Sequence, residues 1–268
     1  MTDVLLEVRD VRAGFGSTTV LHGLSFSVPR GEIAGIFGLN GAGKSVTMKV
    51  LAGVVPLRAG SITFDGEEIS RLTPERRVHL GIGHVPQGRH VFPDLSVEQN
   101  LRLGAYTLRR RDKNCYAGAL AEVFDRFPVL ARRRGQPAGT LSGGEQASLA
   151  VGRALINKPK LILVDEPSAG LSPIVIQDLF GTLRTVAASG VTMVLVEQNV
   201  AFGLQLVDRA HILQVGRIVY SGAVAQLDQS ALAGYLGIGP MLAGTTALSL
   251  AGRQTRVRRP RPLRAAGR

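Results

Sequence analysis

The segment Gly38-Leu39-Asn40-Gly41-Ala42-Gly43-Lys44-Ser45 fits the pattern G-x-x-x-x-G-K-[ST]. It follows the apolar run Ile33 to Phe37 and opens a helical pattern from Lys44 to Ala52. Few folds accept strand, glycine-rich loop and helix in that order. Backbone amides must converge on oxygens carrying several negative charges, and only residues with little or no side chain let the chain curl so tightly. Gly41 and Gly43 meet that demand, the helix start adds its dipole, Lys44 can reach the β and γ phosphates, and the Ser45 hydroxyl can ligate Mg²⁺. A nucleoside triphosphate site on an α/β fold is predicted. The competing reading, a glycine-rich turn followed by an incidental Lys-Ser, is disfavoured by the strand before it and the helix after it.

The rest of the chain keeps the same alternation. Leu5 to Val8, Val20 to Val28, Leu161 to Val164 and Val191 to Val196 read as strands, and Ile174 to Ala187 has helical spacing. The last two strands are apolar runs rich in β-branched residues, as strands buried in a mostly parallel sheet should be. From Val97 to Leu155 strand signals are weak, which predicts a helical insert broken by a Gly/Pro loop around Arg132 to Gly139. With 268 residues the chain can bury a large core. Its single Cys115 excludes an internal disulfide, and Asp3, Glu7 and Arg9 interrupt any signal-peptide run, so a cytosolic body is expected.

Formal net charge is +12, but Met241 to Arg268 holds seven Arg and no acid, so more than half of the excess sits in the tail. The uncharged stretch Ala231 to Gly252 is long enough to span a bilayer. Pro240 and several Gly within it argue for a frayed extension instead. Residues 239–268 are read as a basic, disordered extension, with lipid or nucleic acid contact a minor option.

A second candidate element is Asp165-Glu166, two carboxylates delivered at the end of the apolar run Leu161 to Val164, where open α/β sheets place ligands. Asp165 would hold Mg²⁺ through water and Glu166 would orient the attacking water. Alone, the pair is equally a strand end turning into solvent. Asn157-Lys158-Pro159-Lys160 lacks the Asp of a guanine-selective N-K-x-D, which disfavours GTP. Third comes Leu141-Ser142-Gly143-Gly144-Glu145-Gln146 before a helical pattern, where Ser142 and Glu145 have capping-box spacing. On its own that is no more than a capped helix.

Together, however, these strings resemble an ABC-type ATPase subunit, whose signature LSGGQ is matched by LSGGEQ at Leu141 to Gln146. The resemblance spans about residues 4 to 238. It implies an α/β P-loop NTPase core of ABC ATPase type, with an antiparallel β subdomain and an inserted helical subdomain at about 88–155. It also implies that Gly38, Asn40, Gly41, Ala42, Gly43, Lys44, Ser45 and Val46 contact ATP. Ser142, Gly143, Gly144 and Glu145 would close on ATP held by a second such subunit. Phe15 resembles the adenine-stacking aromatic, core packing being its alternative, and Gln87 resembles the loop glutamine that contacts Mg²⁺ and water, a plain surface glutamine being the other reading. Ser168 to Ser172 resembles the segment that crosses the dimer interface. Gln198 stands where most relatives have a switch His and cannot carry its charge. Val46 replaces the usual second hydroxyl residue.

The strings VPQGRHVFPDLSVEQNL, VDEPSAGLSP and VLVEQN are closely similar to the subgroup that energises branched-chain amino acid import, with urea and short-chain amide importers as near relatives. That implies two membrane-spanning permease subunits, an extracytoplasmic solute-binding protein reached indirectly, and a place on the cytoplasmic face of the inner membrane. An exporter ATPase remains open. ABC ATPases of DNA repair carry long coiled coils and ribosomal ones two ATPase domains, neither of which fits, so no nucleic acid partner is expected.

Overall fold

The computed structural model describes residues 3–228, apart from 89 and 112, together with 232 and 234. The described strands are β1 (Val4–Phe15), β2 (Thr18–Pro29), β3 (Ile33–Phe37), β4 (Leu57–Phe64), β5 (Glu67–Glu68), β6 (Ile82–Val85), β7 (Leu161–Asp165), β8 (Thr192–Val196), β9 (Arg209–Gln214) and β10 (Arg217–Ala223). The helices are α1 (Lys44–Leu51), α2 (Pro74–Leu80), α3 (Val97–Gly104), α4 (Tyr106–Arg111), α5 (Lys113–Arg126), α6 (Pro128–Arg132), α7 (Gly143–Leu155), α8 (Pro173–Ala188) and α9 (Val200–Leu206). The charged end of the tail lies outside the described residues, as does the uncharged stretch from 231 except for Leu232 and Gly234. Among the described residues no helix is long and apolar enough to cross a membrane.

Six strands form the main sheet in the order β10-β9-β3-β8-β7-β6, parallel except for the hairpin β9-β10. Every residue of β3, β7 and β8 is buried. Their side chains alternate between two cores. Ile162, Val164, Met193 and Leu195 face the layer built on α3, α5, α7 and α8. Leu161, Leu163, Val194 and Val196 face α1 and the second sheet. Apolar demand on both faces is why these strands read as unbroken runs in the sequence. The second sheet, β2-β1-β4-β5, is antiparallel and covers α1 with Leu6, Val8, Leu21, Leu24 and Ile62.

One expected boundary is corrected. The first strand runs to Phe15 instead of stopping at Val8, because Asp10, at φ 47°, bulges out of the ladder before pairing resumes at Val11. β4, β5, β6, β9, β10, α2 and α9 had no expectation attached. The helical stretch Val97 to Leu155 is broken between α6 and α7, as the Gly/Pro loop there suggested.

Register fixes what the sheet presents at its C-terminal edge. Ile36 pairs with Val196, Val196 with Asp165, and Val85 with Val164. The loop from Gly38, the pair Asp165-Glu166, the segment from Pro86 and the residues after Val196 therefore leave the sheet side by side, where ligands bind in such sheets. At the far end of α1, Arg77 is buried and donates to the carbonyls of Val50 and Leu51, both at 2.7 Å, and of Ile69 at 2.8 Å. A cation there complements the helix dipole and pins the helix, although burial pushes its pKa down to about 10.

His211 on β9 is 1% exposed, tilts against Phe26, and has Nδ1 2.9 Å from Ser221 Oγ. Its Nε2 is buried without a partner, and burial pushes its pKa from 6.5 down to about 4. Folded chains bind this proton less readily than unfolded ones, so stability is full above pH 6.5 and falls as pH drops from 6.5 towards 4. The shift from 6.5 to about 4 corresponds to about 3 kcal/mol at the acid limit. Urea unfolding at pH 7 and pH 4.5 should show the loss, and His211→Asn should reduce it without abolishing it, because burial also pushes His84 down to about 4; an unchanged pH slope in the variant would refute the assignment.

Candidate nucleotide-binding site

The loop after β3 has the geometry its glycines predict. Gly43 has φ 108°, and a Cβ there would also lie 2.9 Å from Leu21 Cδ2. At Gly38 a Cβ would meet the Leu213 carbonyl oxygen at 2.2 Å, so β9 and the loop can approach only through glycine. Gly43 caps α1 with no side-chain acceptor, leaving first-turn amides for an anion. Leu39, Asn40 and Gly41 are exposed, while Ala42 and Lys44 are buried and Ser45 and Val46 half-buried.

Lys44 Nζ donates to the carbonyls of Gly38 at 2.8 Å and Leu39 at 3.1 Å, lying across the loop. Burial lowers its pKa, while Glu166 and Asp165 oppose that shift. Asp165 is 5% exposed, and its Oδ1 is buried with no hydrogen-bond partner. Its pKa rises to about 6, first through burial and then through the neighbouring Glu166 carboxylate. An orphaned buried carboxylate oxygen at the edge that also carries Ser45 is a hard oxygen donor suited to Mg²⁺.

Glu166 adopts φ 46°, a left-handed conformation that costs an ordinary residue roughly 1 kcal/mol. Its amide still donates to the Val196 carbonyl at 2.9 Å, so the turn is held by β8. Its Oε2 accepts a 2.8 Å hydrogen bond from Gln87 Nε2, which joins the segment after β6 to the end of β7. Gln198 is exposed, and its Nε2 donates to Asn40 Oδ1 at 3.2 Å. Gln198 thus touches the phosphate loop itself. Phe15 is 51% exposed, which removes the core-packing alternative, and Lys49 of α1 places its ammonium 5.8 Å from the ring centroid.

Ser142 to Glu145 form a separate group. Ser142 caps α7 in a reciprocal box with Glu145: Ser142 Oγ accepts from the Glu145 amide, and Glu145 accepts from the Ser142 amide at 2.8 Å. Arg133 pairs with the same carboxylate at 2.8 Å. Gly143 and Gly144 form the first turn of α7. No hydrogen bond among the described residues joins this group to residues 38–45. The cleft between α7 and Asp165-Glu166, lined by Pro86, Ala147 and Ala150, holds about 180 Å³, less than the ~300 Å³ of an enclosing small-molecule site.

One buried contact beside these residues has no counterpart in the sequence motifs. Glu197 is 1% exposed and accepts from both the Ser168 amide at 3.1 Å and the Ser168 hydroxyl at 2.7 Å, tying the segment after β8 to Ser168 after β7. An acid directly after a mostly apolar run was the available signal. Burial raises its pKa against the pull of those hydrogen bonds.

A phosphate loop at the C-terminal edge of a parallel sheet, with the carboxylates of Asp165 and Glu166 beside it, is the arrangement of a nucleoside triphosphatase. The sequence profile of the ABC transporter family matches residues 21–169. The high-affinity branched-chain amino acid transport ATP-binding protein BraG of Pseudomonas aeruginosa is 43% identical over 87% of this chain and all of its own length. The probable branched-chain amino acid transport ATP-binding protein LivF of Archaeoglobus fulgidus is 34% identical over 83% of this chain and 94% of its own. The crystal structure of a nucleotide-free ATP-binding cassette from an ABC transporter superposes with a TM-score of 0.74 at 27% identity, covering 82% of this chain and 91% of that one. The chain belongs to the ABC transporter family and is an ATP-binding, ATP-hydrolysing member of it.

Proposed function

We propose that this ATPase powers import of branched-chain amino acids from the cytoplasmic face of the inner membrane. Its assembly would comprise a second ABC ATPase, identical or related, two membrane-spanning permease subunits and an extracytoplasmic solute-binding protein. The observation that carries the reading is the 43% identity to BraG along that protein's entire length. Leucine uptake into proteoliposomes holding the complete transporter tests it. ATP-dependent uptake supports the proposal, and uptake of urea or a short-chain amide without leucine would replace it with the neighbouring importer reading.

In this account Lys44 exchanges the neutral carbonyls of Gly38 and Leu39 for the stronger, anionic acceptors of the β and γ phosphates. Ser45, Gln87 and Asp165 would hold Mg²⁺, which supplies neutralisation of charge on the phosphate oxygens. Glu166 orients the attacking water and takes its proton, with Gln87 fixing the carboxylate. Ser142, Gly143, Gly144 and Glu145 cap the nucleotide of the partner, and the partner's equivalent surface caps this one. Residues 88–155 act as the helical subdomain. Arg153 of α7 donates to the His90 carbonyl at 2.7 Å and stacks 5.5 Å from Phe92, itself 49% exposed, so His90 and Phe92 are tied to α7. The segment Gln87 to Asp94 is the surface we assign to permease contact.

Gln198 hydrogen-bonds the γ phosphate without supplying charge. Replacing it by His should raise ATP turnover of the assembled complex roughly threefold to tenfold, by adding a charge-assisted bond in the transition state. Unchanged turnover in Gln198→His would remove Gln198 from the switch role.

A further inference from the structure

Phe15 stands at the end of β1, directly before the two-residue turn Gly16-Ser17, with Phe15 paired to Thr18 across the hairpin. Gly16 has φ 50°, and a Cβ at Gly14 would lie 2.0 Å from the Thr18 carbonyl oxygen, so the hairpin tip is narrow and built for one backbone path. Hairpin tips with exposed side chains ordinarily fluctuate, because little buries them. This one is held from outside. Arg58 of β4 sends its guanidinium across β1 to the turn, where Nη2 donates to the Gly16 carbonyl at 2.6 Å and Nη1 to the Ser17 carbonyl at 3.2 Å and Thr19 Oγ1 at 2.7 Å.

We infer that Arg58 is a positioning residue for nucleotide binding: its fork clamps the Gly16-Ser17 turn and thereby holds the Phe15 ring in place to stack on the base. The inference rests on the reading of Phe15 as the base-stacking aromatic. All three acceptors belong to the turn and its first following residues, and none belongs to the phosphate loop. The clamp therefore acts on the base end of the ligand and leaves the triphosphate end untouched. A planar fork with several fixed donors can span two carbonyls and a hydroxyl at once, which one ammonium cannot. Ordering the ring in advance removes part of the entropic cost of binding.

The test compares two ligands on the full chain. Equilibrium titration with Mg·ATP and with inorganic tripolyphosphate, which carries the phosphates but no base, is run on wild type, Phe15→Ala, Arg58→Ala, Arg58→Lys and the double variant. Phe15→Ala should weaken ATP roughly tenfold, the loss of one stacked base. Arg58→Ala should weaken it roughly fivefold, Arg58→Lys less, with tripolyphosphate affinity unchanged in all. The double variant should bind ATP no worse than Phe15→Ala, since the clamp has nothing left to position. If Phe15→Ala weakens ATP and Arg58→Ala does not, the clamp is refuted while the stacking role stands. Equal loss of both ligands in Arg58→Ala refutes it in favour of a general structural role. Wild-type ATP binding by Phe15→Ala would remove the stacking reading, and the clamp with it.

Discussion

Lys44→Ala abolishes ATP turnover, lowering the rate of the assembled complex at least ~10³-fold, the scale for removing a cation that stabilises developing phosphoryl charge. The size follows from where the ammonium sits. Lys44 is buried among the loop's own carbonyls and close enough to Asp165 and Glu166 to feel both charges, so no solvent-exposed cation can take its place. Folding should survive, because the deletion removes a desolvated charge whose partners are two neutral carbonyls. Thermal unfolding close to wild type with turnover lost is the expected pair of results. Turnover within a factor of a few of wild type would show that the loop does not hold the triphosphate.

Glu166→Gln separates binding from cleavage. The amide keeps the shape of the carboxylate and can still meet Gln87, but it cannot accept a proton from water, so turnover should fall roughly 10²–10⁴-fold. The substitution also removes the carboxylate that, after burial, does most to hold the pKa of Asp165 up at about 6. Asp165 then ionises more readily, which favours Mg·ATP. The variant should therefore accumulate as an ATP-bound pair of subunits, seen as a doubled mass by light scattering in Mg·ATP and as single subunits in ADP. Full turnover in this variant, or failure to pair with any ATPase subunit in ATP, would contradict the role given to Glu166.

The phosphate loop was readable because its geometry is local: Gly43 needs its φ of 108° whatever the rest of the chain does. β3, β7 and β8 were readable because both faces are covered and leave an apolar run. The strands that had no expectation lack such a run: β9 is buried from Ala210 to Leu213 but carries His211 in its middle, and β6 is only four residues long with Gly83 and His84 inside it. β10, Arg217 to Ala223, alternates exposed and half-buried positions and carries Gly222, so neither period nor composition marks it. β1 was seen only to Val8, since a bulge at Asp10 breaks the alternation that a straight strand would show.

The site divides in the same way. Lys44, Asp165 and Glu166 follow from motif and strand end, and the capping box at Ser142 and Glu145 follows from spacing alone. What the sequence hid are contacts between distant elements. Glu197 meets Ser168 across 29 positions, and Arg58 meets Gly16 across 42. Neither pair has a period or a motif, and each becomes visible only when the sheets are assembled. The Gln198 contact with Asn40 belongs with them, joining segments 158 positions apart.

The most direct measurement is calorimetric titration of the purified chain with Mg·ATP, run beside Lys44→Ala. One nucleotide bound per chain in the wild type and none in the variant is the predicted result. Heat of binding equal in both proteins, or absent from both, would contradict a triphosphate held at residues 38–45.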